Sequence, residues 1–146
     1  MSDTHTLGDL QLAIMRVLWR RGEASASEVH EALLDERGLA PTTIATMLKK
    51  MEDKGVVDHR SEGRRFLFRP TVSEDAVRRS MVGELTERLF LGDTAALVSH
   101  LLEEHVEADE LAELRRLIAR RETQDEPRQA ARESVHDDER SEEETR

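Results

Sequence analysis

At 146 residues the chain has room for one domain or two small ones, and the absence of cysteine excludes disulfides, thiolate metal sites and cysteine nucleophiles. Aromatic residues make up 3% of the composition, too few to line a large aromatic pocket, and no run approaches the roughly 18 apolar residues that span a bilayer. After Met1-Ser2-Asp3 the first basic residue is Arg16, which is not the pattern of a secretory signal, so a cytoplasmic protein without membrane insertion is expected.

Leu10, Ile14, Val17 and Leu18 fall at i, i+4, i+7 and i+8, an apolar helical stripe that Gly22 ends. Ser25-Ala26-Ser27-Glu28 has the Ser-x-x-Glu form of a capping box and starts a second helix with Val29 and Leu33 on its buried face, closed by Gly38. Pro41 stands at the first position of a third helix, where a missing N–H costs nothing, and Ile44, Met47, Leu48 and Met51 line one side of it up to Gly55. Val56-Val57-Asp58-His59-Arg60 and Phe66-Leu67-Phe68 favour strand, and Ser61-Glu62-Gly63-Arg64 reads as the turn between them. Pro70 keeps the second strand from running on as a central one.

From Ser73 the pattern is helical throughout. Val77, Met81, Leu85 and Leu89 recur every four residues; Gly92-Asp93-Thr94 breaks that helix and caps another containing Leu97, Val98, Leu101 and Leu102. A last helix carries Leu111, Leu114, Leu117 and Ile118 and ends near Arg120-Arg121. Three short amphipathic helices make a poor core alone, so Val77, Met81, Leu85, Leu89, Leu97, Leu101, Leu111, Leu114, Leu117 and Ile118 are expected to meet a second copy. The last 24 residues have only Ala130, Ala131 and Val135 as apolar side chains, with Pro127 among them, and read as a disordered acidic tail. The expected class is mostly α: a winged helix-turn-helix of α+β type over residues 1–72, an all-α dimerisation domain over 73–122, and the tail over 123–146.

A net charge of −10 argues against nucleic acid until it is divided along the chain. Residues 1–72 hold 11 basic and 11 acidic side chains, 73–122 hold 7 and 12, and 123–146 hold 4 and 9. Within residues 42–69, Lys49, Lys50, Lys54, Arg60, Arg64, Arg65 and Arg69 face Glu52, Asp53, Asp58 and Glu62, a local excess of three positive charges. With Ile44, Met47, Leu48 and Met51 turned inward, Thr42, Thr46, Lys49 and Lys50 point outward, with Thr43 and Lys54 on the flank. Threonine can bond base edges and lysine neutralises phosphate, so Thr42, Thr43, Thr46 and Lys50 are candidates for groove contacts, and Lys49, Lys54, Arg64 and Arg65 for phosphate. Taken singly, each of these cations reads as a solvated surface or turn residue; together, the order of three helices and a basic hairpin favours a winged-helix reader of double-stranded DNA. A winged-helix module that binds protein, and a ligand-responsive regulator with its effector at the junction of two domains, are the alternatives.

Leu7-Gly8-Asp9-Leu10, Ile14, Val17-Leu18-Trp19, Pro41-Thr42-Thr43-Ile44, Met47-Leu48, Lys54-Gly55, His59 and Gly63-Arg64-Arg65-Phe66 with Phe68 resemble the N-terminal domain of the penicillinase-repressor family, the BlaI/MecI/CopY type. The resemblance continues through Arg88-Leu89-Phe90-Leu91-Gly92-Asp93, Leu97-Val98, Leu101, Glu110-Leu111, Leu114-Arg115 and Ile118. It implies a homodimeric repressor acting on a palindromic operator. It also implies relief of repression by proteolysis, through a sensor protease, or by another signal; His100-Leu101 stands where staphylococcal members carry an Asn-Phe cleavage pair. The copper-responsive branch senses through a C-terminal cysteine motif, which a chain without cysteine lacks.

No catalytic chemistry, metal or cofactor is expected. His100 and His105 are five residues apart, about 140° around a helix, so they do not make an i, i+4 metal pair. His100 with Glu104 has the right spacing, but two ligands do not make a site. His59 is read as a phosphate contact or as packing. Glu103-Glu104 and Asp137-Asp138 sit in solvated runs where nothing shifts a carboxylate toward catalysis, and the glycines form neither a P-loop nor a nucleophile elbow. Trp19 is expected to lie as a half-buried lid over the small core.

Overall fold

The computed structural model describes residues 6–143, with side chains as far as residue 125. The first helix, α1, spans Asp9–Arg21 and stops at Gly22, whose N–H reaches the Leu18 carbonyl at 2.7 Å with φ at +86°, a conformation glycine adopts without steric cost. A two-residue strand, β1 (Ala24–Ser25), leads into α2 (Ala26–Arg37). Both halves of the expected capping box are made: the Glu28 N–H donates to Ser25 Oγ at 3.2 Å, and the Ser25 N–H donates to Glu28 Oε1 at 3.1 Å. Helix α3 spans Pro41–Lys54 with its proline at the start and Gly55 at its left-handed end.

Strands β2 (Val57–Glu62) and β3 (Arg65–Pro70) form an antiparallel hairpin from Val57↔Pro70 to Glu62↔Arg65. Gly63-Arg64 is left as a two-residue loop, and Gly63 supplies the positive φ of +63° that such a tight turn requires. The sheet order is β1-β3-β2, which corrects two features of the sequence reading. First, Ala24 and Ser25 pair with Phe68 and Leu67, a strand too short for any periodicity to reveal. Second, β3 is the central strand after all; Pro70 is its last residue, where the missing N–H interrupts no further pairing.

Three helices and this sheet enclose one core, with Ile14, Met15, Leu18, Ile44, Leu48, Met51, Val56 and Val57 almost wholly removed from solvent. The architecture is a winged helix. Trp19 is half-buried over this core, as expected, and its Nε1–H donates to the Val72 carbonyl at 2.9 Å.

The chain divides into two compact units between Asp93 and Thr94. Helix α4 (Glu74–Phe90), which the sequence reading opens a second domain with, belongs to the first unit. Ser73 caps it, its Oγ accepting from the Ala76 N–H at 3.0 Å. Val77 joins the winged-helix core at 2% exposure and Met81 packs against it, so Val77, one of the expected dimer contacts, is already covered within its own chain. Farther along, Leu85 and Leu89 remain open.

The second unit contains α5 (Thr94–Glu104) and α6 (Ala108–Glu143). Among its described residues none is buried; Val98, Leu101, Leu102, Leu117 and Ile118 are all between 42% and 56% exposed. Helix α6 does not end near Arg120-Arg121. Its backbone continues to Glu143, through Pro127, although a proline in a helix interior removes one N–H donor and crowds the carbonyl four residues before it. Side chains from residue 126 onward, and with them the expected disordered tail, lie outside the described residues.

Candidate nucleic-acid interface

Burial of Ile44, Leu48 and Met51 sets the rotation of α3 about its axis. With 3.6 residues per turn, that places Thr42, Thr43, Thr46, Lys49, Lys50 and Lys54 on its exposed surface, all six where the sequence puts them. Ala45 is exposed on the same face, three residues after Thr42 and four before Lys49, and the sequence reading passes over it. Its methyl group leaves the helix backbone open to close approach; the signal was its place on the wheel. Met47 is only half-buried, and its Sδ receives a hydrogen bond from Gln11 Nε2 at 3.5 Å, which ties α3 to α1.

The cations separate into two groups. Among the described residues, Lys49, Lys50, Lys54 and Arg64 have no carboxylate partner; Lys54 donates to the Thr6 carbonyl, and Arg64 stands at the hairpin tip. The others are neutralised. Arg60 holds Glu23 through two hydrogen bonds of 2.6 and 3.0 Å and lies 3.4 Å from Glu62. Arg69 holds Asp58 at 2.6 Å. Arg65, expected beside Arg64 as a second tip cation, is instead 3.3 Å from Glu28 and 4.0 Å from Glu62. Hydrogen bonding to Arg60 holds the Glu23 carboxyl below its ordinary value and raises the Arg60 guanidinium above its own; hydrogen bonding to Asp58 raises Arg69 likewise.

Glu28 is the joint between helix and wing. It caps α2 and meets Arg65 from the hairpin, with Arg21 at 3.9 Å. The hydrogen bonds from Ser25, helped by Arg65 and Arg21, lower its pKa from 4.5.

A second joint connects α3 to β2. His59 Nδ1 lies 2.7 and 2.8 Å from the two carboxylate oxygens of Glu52, and its ring packs 4.6 Å from Phe66 and 5.6 Å from Phe68. His59 thus packs against both phenylalanines while it meets Glu52. Between α2, α3 and the hairpin runs a cleft of about 880 Å³ with Ala45, Lys49, Arg65 and Phe66 on its walls. Phe66 is 53% exposed, so the outer face of the wing carries an aromatic ring beside its arginines, which strand alternation alone does not single out.

One further expectation is corrected in the second unit. Helix α5 ends at Glu104, so His105 does not follow the helical wheel that put it away from His100. The rings of His100 and His105 are 6.0 Å apart, and one ligand atom from each of His100, Glu104 and His105 lies within 4.8 Å of the others.

The penicillinase repressor family profile matches residues 7–120. The transcriptional regulator BlaI of Mycobacterium tuberculosis is 36% identical over 121 residues, covering 82% of this chain and 87% of its own. The penicillinase repressor of Bacillus licheniformis is 27% identical over 113 residues, covering 77% and 88%. Among solved structures, the DNA binding domain of the repressor BlaI is similar at 32% identity and a TM-score of 0.46, over 52% of this chain and 93% of that one. With the profile spanning more than half of its length and a relative above 30% identity over most of both chains, this chain belongs to the penicillinase repressor family.

Proposed function

We propose that this chain, a DNA-binding transcriptional repressor by its family, acts as a homodimer on a palindromic operator and reads it through the outer face of α3. Thr42, Thr43, Thr46 and Lys50 make the groove contacts, and Lys49, Lys54, Arg64 and Arg65 meet phosphate. The observation that carries this reading is the sorting of charge. Among the described residues, the cations on α3 and Arg64 at the hairpin tip lack carboxylate partners, whereas those along the sheet are matched with Glu23, Glu28 and Asp58. An unmatched cation releases counterions when it meets phosphate; one already paired with a carboxylate has less net charge with which to do so. Arg65 is matched with Glu28 and Glu62 but exposed, so it meets phosphate with less charge to contribute.

The homodimer is supported by the apolar side chains left open on α4, α5 and α6, since exposed apolar faces gain stability when a second copy covers them. Two recognition helices then occupy successive major grooves about 34 Å apart, or a multiple of that. Residues 1–72 read the DNA, the helices after them join the protomers, and the acidic residues 123–146 lie outside both roles.

A gel shift with the promoter upstream of its own gene tests the reading. Sub-micromolar, palindrome-dependent binding is expected, and Thr46→Ala should alter preference at one base pair by about 1–3 kcal/mol. Weak binding that is equal on scrambled DNA would support a protein-interaction module instead.

A further inference from the structure

We propose that His100, Glu104 and His105 form a site for a divalent transition-metal ion of zinc type, held at the end of α5. His100 and Glu104 are one helical turn apart and share a face, and His105 follows directly where the helix stops. The His105 backbone N–H still bonds the Leu101 carbonyl at 2.9 Å, which fixes where its side chain leaves the chain, and its ring is tilted 49° to that of His100.

The donor atoms lie within 4.8 Å of one another. Two donors on one tetrahedral zinc ion are about 3.4 Å apart, given bonds of about 2.0–2.2 Å. All three side chains are exposed, so small rotations close that difference without disturbing a core. Two imidazole nitrogens and one carboxylate oxygen suit zinc, with a fourth position left for water; magnesium and calcium prefer oxygen alone.

Charge favours a cation here as well. Residues 94–114 contain Glu103, Glu104, Glu107, Asp109, Glu110 and Glu113 and no lysine or arginine. Among these carboxylates, that of Glu104 is the one grouped with both imidazoles, with ligand atoms within 4.8 Å of one another, while Glu110 accepts from the Glu107 N–H at 3.0 Å and Glu113 pairs with Arg116 and Arg120. A bound ion joins the last turn of α5 to the residue that starts the connection to α6, and so stiffens that corner.

The test is calorimetric titration of the untagged, chelator-treated full chain with zinc chloride, alongside His105→Ala, Glu104→Gln and the His100→Ala/His105→Ala double variant, with circular dichroism to verify the fold. Wild type should bind one ion per chain with micromolar affinity or better. Each single variant should weaken binding at least roughly tenfold, and the double variant should lose the site although His5, His30, His59 and His136 remain. Zinc should also raise the melting temperature of wild type but not of the double variant. The proposal is overturned if wild type and the double variant bind zinc alike, or if magnesium binds wild type as tightly as zinc does.

Discussion

Replacing Arg64 with alanine separates the wing's charge from its packing, because Arg64 stands at the hairpin tip with no carboxylate partner among the described residues. Each phosphate that a side chain neutralises adds about 0.9 to the slope of log affinity against log salt concentration. A dimer brings two copies of Arg64, so the variant's slope should be shallower by about 1.8. Between about 50 and 200 mM salt, a fourfold rise, wild type should therefore lose roughly 12 times more affinity than Arg64→Ala. The matched comparison is Arg60→Ala. Arg60 sits in the same hairpin, but Glu23 holds it at 2.6 and 3.0 Å, so it has little net charge to offer and its removal should change the slope by less than about a third as much. Fluorescence anisotropy on a labelled duplex at four salt concentrations measures both. A non-specific duplex should give the same difference, since a phosphate contact carries no sequence information. Equal slopes for wild type and Arg64→Ala, or equal losses in the two variants, would refute the charge-sorting argument.

Acidification should loosen the joint at Glu28. Its pKa is depressed in the folded chain, so its stabilisation is complete above its ordinary value of 4.5 and is lost as pH falls through the lower folded value. In urea titrations the stability gap between wild type and Glu28→Ala should narrow below pH 4.5, and a gap constant with pH would contradict this. Leu101→Glu puts a charge on an α5 face that is 42% exposed in the single chain, so sedimentation should show it as a monomer at concentrations where wild type is a dimer; an unchanged dimer would place the interface elsewhere. Deleting residues 123–146 removes a net charge of −5 and should raise affinity for non-specific DNA, whereas unchanged binding would leave those residues without such a role.

Local signals are strong in the first 70 residues, and the three helices and the hairpin that they specify there appear as read, whereas α6 runs past its expected end. Ser25 and Glu28 are three residues apart and make the capping box that their spacing implies. Ile44, Leu48 and Met51 are buried at the spacing that turns Thr42, Thr46, Lys49 and Lys50 outward, so the candidate reading face follows from helical periodicity alone. The hairpin followed in the same way from two β-favouring runs around Gly63.

Pairings between distant residues were not legible. Arg60 and Glu23 are 37 positions apart, as are Arg65 and Glu28, and nothing in their local context marks which arginines of the basic stretch are matched and which are open. The partnership of Ala24-Ser25 with β3, and with it the central place of that strand, depends on a sheet register spanning more than 40 residues. Val77 continues a helical stripe that looks uniform along its length, yet only the packing of α4 on the winged helix decides that its first turns are covered and its later ones open. By itself, then, the sequence determined the helices, the hairpin and the outward face of α3, because those depend on bonds and periodicities within a few residues. Tertiary structure alone decided which charges are neutralised and which apolar residues remain exposed, because those depend on where separate elements meet.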